Sequence, residues 1–171
     1  MKGLQISKAN ESDILNISVL KKQVFISTYA LSGVNNEFSN HITSEFSIEK
    51  IKSSISDKNK IILLAVRKGF LIGIAEVFLN KTHQATNDLS PELNVLYVFE
   101  HTKGMGVGYK LISEAEKIVS EMGFSGLWLT VYYNNQNAIT FYKRQKYKDI
   151  GKEYFEMQGK KYENRILFKQ F

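Results

Sequence analysis

Three glycines alternate in the segment Lys103-Gly104-Met105-Gly106-Val107-Gly108. The apolar run Leu93–Phe99 before them reads as a strand. After them, Tyr109–Met122 carries Leu111, Ile112, Ala115, Ile118 and Val119 on one helical face and stops at Gly123, a helix-ending residue. A strand, a glycine-rich turn and a helix in this order demand a sheet with a helix packed on it, which excludes all-helical and all-β folds. The turn also has a chemical consequence. Residues without Cβ let another molecule approach the backbone. The first N–H groups of a helix lack internal partners and lie at the positive end of its dipole. Together they make a cradle for a phosphate or diphosphate.

The spacing narrows the kind of cradle. A P-loop needs Gly, four residues, then Gly-Lys-Ser/Thr, and this run lacks that spacing. A dinucleotide fingerprint needs glycine where Tyr109 stands, and needs further βαβ units than the 63 residues after Gly108 can supply.

The rest of the chain supplies the sheet and its helices. Leu4–Ser7 reads as a short strand, and Ser12 as the cap of a helix bearing Ile14, Ile17, Leu20, Val24 and Phe25. Residues 32–44 read as loop, and Ser47–Ile55 as a second helix. Ile61–Val66 and Leu71–Leu79 form a hairpin around Gly69; Lys81–Pro91 reads as loop. Leu127–Tyr132 reads as a strand and Asn137–Arg144 as a short helix. Tyr147–Met157 and Tyr162–Phe168 close the chain as a hairpin turning at Gln158-Gly159-Lys160. The order predicts one α/β (α+β) domain over residues 1–171.

Composition sets outer limits. No cysteine occurs, which excludes disulfides, zinc–thiolate sites and a cysteine nucleophile. His41, His83 and His101 are too scattered for a metal cluster, so no metal is expected. Apolar runs are far shorter than the ~20 residues of a bilayer span, and the first residues lack a signal core; a cytoplasmic protein without membrane partner is expected. The net charge of +6 suits nucleic acid, a phosphorylated ligand or solubility alone. A nucleic-acid-binding regulator using Tyr132 and Tyr133 is the weaker reading: arginine occurs only at 67, 144 and 165, and the lysines are spread along the chain.

The run Leu96–Ile112 resembles the acetyl-CoA-binding motif of the GNAT N-acetyltransferase superfamily, Gln/Arg-x-x-Gly-x-Gly/Ala, with Lys103 at the Gln/Arg position and Gly106 and Gly108 in register. Asn135-Gln136-Asn137-Ala138-Ile139-Thr140-Phe141-Tyr142 is similar to the family's Asn-x-x-Ala-x-x-Phe-Tyr, which usually continues to Gly-Phe where this chain has Lys146-Tyr147. Glu92–Val98, Leu127–Tyr142, Tyr154–Met157 and Val24–Tyr29 further resemble the PaiA-type bacterial spermidine/spermine N-acetyltransferases.

The resemblance implies a GNAT fold: a mixed, mostly antiparallel sheet of about seven strands, splayed at the cofactor site, with about four helices. It implies acetyl-CoA as cosubstrate and direct transfer to a small-molecule amine, preferably a polyamine. Tyr142 would be the general acid and Glu92 the general base, with Glu76 as second choice. Leu96, Tyr97 and Val98 would meet the pantetheine arm as an added strand. Lys103, Gly104, Met105, Gly106, Val107, Gly108 and Tyr109 would hold the diphosphate, Asn135 the pantetheine, and Lys143 and Arg144 the adenosine-side phosphates. Glu37, Glu45, Tyr29 and Phe38 are the candidate acceptor-side groups. A protein N-terminal or lysine acetyltransferase, a CoA-binding module without catalysis, and a homodimer stay open.

Overall fold

The computed structural model describes residues 3–30, 32–82, 89–157 and 160–171. The elements run β1 (Leu4–Lys8), α1 (Ile14–Tyr29), α2 (Asn36–Glu45), α3 (Ile48–Ser56), β2 (Lys60–Arg67), β3 (Phe70–Thr82), β4 (Leu89–Val98), α4 (Val107–Glu121), β5 (Gly126–Tyr132), α5 (Gln136–Arg144), β6 (Lys148–Met157) and β7 (Lys160–Gln170). The strands form one seven-stranded mixed sheet in the order β1-β2-β3-β4-β5-β7-β6. The α/β class expected from the sequence holds. The chain divides into two compact units, Met1–Glu76 with Val95–Ala115, and Val77–Asn94 with Glu116–Phe171.

In the first unit, β1 pairs antiparallel with β2 from Leu4↔Arg67 to Lys8↔Leu63. The β2 interior, Ile61–Ala65, is buried without alternation, as in a strand covered on both faces. β2 turns into β3 through Lys68 (φ 51°) and Gly69 (φ 80°), two left-handed residues that match the twist of a tight hairpin. The core joins Ile17, Leu20 and Val24 of α1 to Ile51 of α3, Ile62 and Leu64 of β2, Ile74 of β3 and Val95 of β4. Burying each such side chain contributes roughly 1.5–3 kcal/mol.

Two helix starts differ from the sequence expectation. Ser12 lies inside a 3-10 turn, Glu11–Asp13, that leads into α1, and the cap of that turn is Asn10: its Oδ1 accepts from the Ser12 N–H (2.9 Å), and its N–H donates to Asp13 Oδ2 (2.9 Å). The segment expected as loop, 32–44, contains most of α2. Asn35 is its N-cap, with Oδ1 accepting from the Phe38 N–H at 2.8 Å. Ile42 is buried, and the Phe38 ring lies 5.3 Å from Phe25 of α1.

In the second unit, β5 pairs antiparallel with β7 from Gly126↔Gln170 to Tyr132↔Asn164. A Cβ at Gly126 would stand 2.5 Å from Phe168 Cζ, so only glycine fits there. β6 and β7 form the closing hairpin, with a bulge that gives β6 an extra residue, Ile150, between Asp149 and Gly151. The expected turn residues Gln158 and Gly159 lie outside the described residues, as do residues 83–88 of the segment expected as loop; its ends belong to β3 and β4.

Candidate functional site

The glycine segment is built in the first unit. β4 ends at Val98, and the Phe99 N–H donates to Ile72 O (2.9 Å), holding the strand exit against β3. A 3-10 turn, Glu100–Thr102, follows, pinned by the Thr102 hydroxyl donating to Phe99 O (2.8 Å). Gly104 (φ 77°) and Gly106 (φ 73°) both take the left-handed conformation that disfavours side chains. Gly108 is the second residue of α4, and without a Cβ it leaves the backbone of this first turn uncovered. The Lys110 N–H donates to Gly106 O (3.1 Å), so Val107, Gly108 and Tyr109 are the helix's leading N–H groups. Nothing lies within 4 Å of where a Cβ of Gly104 would stand. Two left-handed glycines, leading amides and this open backbone fit a diphosphate. Lys103 is partly committed, its ammonium paired with Glu100 Oε2.

One residue that positions this loop escaped the sequence reading. A Cβ at Gly73 on β3 would stand 3.0 Å from Val107 Cγ1, 3.0 Å from Leu111 Cδ1 and 3.1 Å from Tyr97 O. Glycine there lets the first turn of α4 lie directly on the strand. The signal, a lone glycine inside an apolar strand, was present in the sequence. Tyr97 packs against the core, and Leu96 and Val98 are half-buried on either side of it.

Two of the acceptor-side candidates, Tyr29 and Phe38, gather around a ring the sequence reading had not singled out for this role. Phe25 has Tyr29 at 4.7 Å, His41 at 5.1 Å, Phe38 at 5.3 Å and Phe46 at 5.4 Å. Glu45 pairs with Lys50. Glu76, second choice as base, is buried and bonded to Lys21 Nζ at 2.8 Å; that ammonium also lies 5.3 Å from the Phe46 ring centre.

In the second unit, Glu92 lies opposite Trp128 in the parallel ladder of β4 and β5. The Trp128 indole N–H donates to Ser90 O (3.1 Å) and locks this end of the strand. Glu92 is 7% exposed. Burial pushes its carboxyl pKa above the ordinary range; Lys81, with Nζ 4.0 Å away, pulls it down, and Glu153 pushes it up again. The helix α5 is capped by Asn135, whose Oδ1 accepts from the Ala138 N–H (3.1 Å). Its buried face is Ile139 and Tyr142. Lys143 and Arg144 are exposed in its last turn, where the dipole favours cations.

Tyr142 stands where α5 is closed off. The Tyr147 N–H donates to Tyr142 O (3.1 Å), and the Lys146 N–H to Lys143 O (3.0 Å). This is a Schellman motif, and Lys146 (φ 71°) occupies the left-handed position that is usually glycine. The same motif ends α4 at Gly123 (φ 89°), with the Phe124 N–H donating to Val119 O (3.3 Å). Tyr142 is 8% exposed, with Phe141 and Tyr147 ring centres at 5.3 and 5.8 Å.

Residues 29–147 match the family model described as the acetyltransferase (GNAT) family, a span that includes both the glycine loop and α5. The chain belongs to the GNAT family. Among its relatives, an uncharacterized N-acetyltransferase of Lactobacillus delbrueckii subsp. lactis is 21% identical over 143 residues, 83% of each chain. An uncharacterized N-acetyltransferase of Chlorobaculum tepidum is 30% identical over 109 residues, 64% of this chain and 61% of the relative. The crystal structure of the PaiA N-acetyltransferase of Thermoplasma acidophilum in complex with coenzyme A superposes with a TM-score of 0.78 at 22% identity over 99% of both chains. The protein is therefore an acetyl-CoA-dependent N-acetyltransferase of the GNAT type, and its sheet is the GNAT sheet. Among the described residues, no helix is long and apolar enough to cross a membrane.

Proposed function

We propose that this N-acetyltransferase moves the acetyl group in one step onto a primary amine, with a polyamine as the favoured acceptor. The observation that carries the reading is Glu92: a buried carboxyl at the start of the strand leading to the glycine loop, whose proton affinity burial raises above the ordinary value against the pull of Lys81, the direction a general base needs. Glu92 takes the proton from the acceptor nitrogen, directly or through one water. The neutral nitrogen attacks the thioester carbonyl carbon, the C–N bond forms and the C–S bond breaks. The Tyr142 hydroxyl gives its proton to the departing thiolate, and the second proton of the attacking nitrogen is released as the amide forms, directly or through water, to restore the Tyr142 phenol. No covalent acyl-enzyme is needed, and the chain has no cysteine to carry one.

On the cofactor side, the leading amides of α4 and the Lys103–Tyr109 segment take the diphosphate. Leu96, Tyr97 and Val98 offer strand backbone to the pantetheine amides, and Asn135 adds a contact while capping α5. By the family resemblance, Lys143 and Arg144 are assigned to the adenosine-side phosphates. Holding amine and thioester together supplies most of the acceleration, and the two proton-transfer groups typically add ~100-fold to ~10,000-fold. The polyamine preference is supported by the resemblance to PaiA-type enzymes and by the two neighbouring carboxylates Glu92 and Glu153, which suit a polycation.

The test is thiol release from acetyl-CoA with polyamines, aminoglycosides, amino acids and short peptides as acceptors. Spermidine and spermine are expected to give the largest kcat/KM. Faster turnover of a peptide or an aminoglycoside would overturn the acceptor assignment; no release with any amine, together with no heat of acetyl-CoA binding, would overturn the reading itself.

A further inference from the structure

The second unit holds a buried polar cluster that the proton-transfer scheme does not use. Tyr147 is 2% exposed, at the strand side of the α5 closure, and its ring stands 5.8 Å from that of Tyr142. Where the motif that α5 resembles usually continues to Gly-Phe, this chain has Lys146-Tyr147, so a hydroxyl is carried on the ring at this place. Glu116 of α4 is bound through Oε2 to Lys169 Nζ of β7, and that ammonium also lies 5.8 Å from the centre of the Tyr147 ring. Burial, and after it the negative charge of Glu116, hold the Tyr147 phenol far above its usual pKa, hence protonated. Among the described residues, neither Tyr147 OH nor Glu116 Oε1 has a partner at full hydrogen-bond geometry. A neutral phenol donor and an open carboxylate acceptor are thus buried together. Burying such groups for packing alone is unfavourable, and phenylalanine would fill the same space.

We propose that Tyr147 is a positioning residue for Tyr142: the Glu116–Lys169 pair anchors its hydroxyl, and its ring then holds the Tyr142 ring in one orientation. The inference rests on the reading of Tyr142 as proton donor. The backbone supports it, because the Tyr147 N–H bound to Tyr142 O (3.1 Å) ties the two residues at the main chain while the rings meet at the side chain. A donor displaced by about 1 Å loses on the order of 100-fold in rate, so even partial slack in the ring should be visible in turnover.

The decisive variant is Tyr147→Phe, which keeps the ring, changes no charge and removes only the anchored hydroxyl. It is expected to melt at or above the wild-type temperature while kcat falls on the order of tenfold and the KM for acetyl-CoA stays within twofold. Glu116→Gln should lower kcat similarly, and the double variant no further than the worse single one, because both changes cut the same anchor. A merely structural Tyr147 predicts that stability and turnover move together. Wild-type kcat in Tyr147→Phe, or a drop in kcat matched by a drop in melting temperature, would overturn the proposal. If Glu116→Gln does not fold, Tyr147→Phe decides alone. Tyr142→Phe, measured in parallel, separates the two levels: undiminished turnover there removes the proton-donor reading and this inference with it, whereas an inactive Tyr142→Phe beside a fully active Tyr147→Phe removes only the inference.

Discussion

Replacing Lys21 by methionine isolates the buried ion pair of the first unit. The two side chains are 9% and 7% exposed, and Nζ sits 2.8 Å from Glu76 Oε1. Methionine fills much of the lysine stem's space and keeps a favourable contact with the Phe46 ring, so the variant changes charge more than packing. Glu76 is then left as a buried carboxylate without its ammonium. Breaking a buried pair from one side costs about 3–5 kcal/mol. In a chain of this length each kcal/mol moves Tm by about 2–4 °C, so Lys21→Met should melt roughly 6–20 °C below wild type. Removing the second charge as well, in Lys21→Met/Glu76→Leu, should restore most of the loss, since an apolar replacement of a whole pair is often neutral or better. Thermal and urea unfolding of the two single variants and the double variant measure the coupling. A single variant losing less than about 1 kcal/mol, or a double variant no more stable than either single one, would refute the reasoning. The same proteins test the proton acceptor. With Glu92 as base, the double variant turns over normally; a folded double variant that binds acetyl-CoA but does not transfer would assign the base to Glu76.

Three other outcomes follow from the geometry. Lys146→Gly relieves a left-handed lysine worth about 1–2 kcal/mol, less about 0.4–1 kcal/mol of added chain entropy, so a small rise in Tm by scanning calorimetry is expected and a fall contradicts it. Glu92→Gln should lower kcat and raise stability at neutral pH: folded Glu92 holds its proton to higher pH than the unfolded chain, so ionisation opposes folding from about pH 4.3 upward through its raised value. The gain in Tm should vanish as the pH falls below that point, and a gain that persists in acid would rule this cause out. Gly73→Ala forces a methyl to 3.0 Å from Val107 and Leu111 and should cost about 1–3 kcal/mol and weaken acetyl-CoA binding by calorimetry, with unchanged affinity as the contrary result.

What the sequence discloses is what local physics decides. The unbroken apolar run of β2, the glycines before α4 and the stop at Gly123 each express a backbone or burial requirement within a few residues, and the structure meets all three. Asn135 caps α5 just where its motif puts it. Other features depend on partners far along the chain. Glu76 reads as a second-choice base until Lys21, 55 residues earlier, is brought to it. Tyr147 reads as an aromatic at a strand start until Glu116 and Lys169 surround it. The helix α2 hid for a subtler reason: a polar stretch holds only Phe38 and Ile42 to mark its inner face, and the Phe38 contact with Phe25 of α1 lies far along the chain.

The extra residue in β6 has a consequence for how the molecule survives at high concentration. β6 is the last strand of the sheet, and an outermost strand invites stacking by a neighbour's backbone. Ile150 breaks the spacing that a flat incoming strand would need, and Lys148, Asp149, Lys152, Glu153 and Glu156 set charges along the same border. Irregularity and charge together make this margin a poor template for fibril growth.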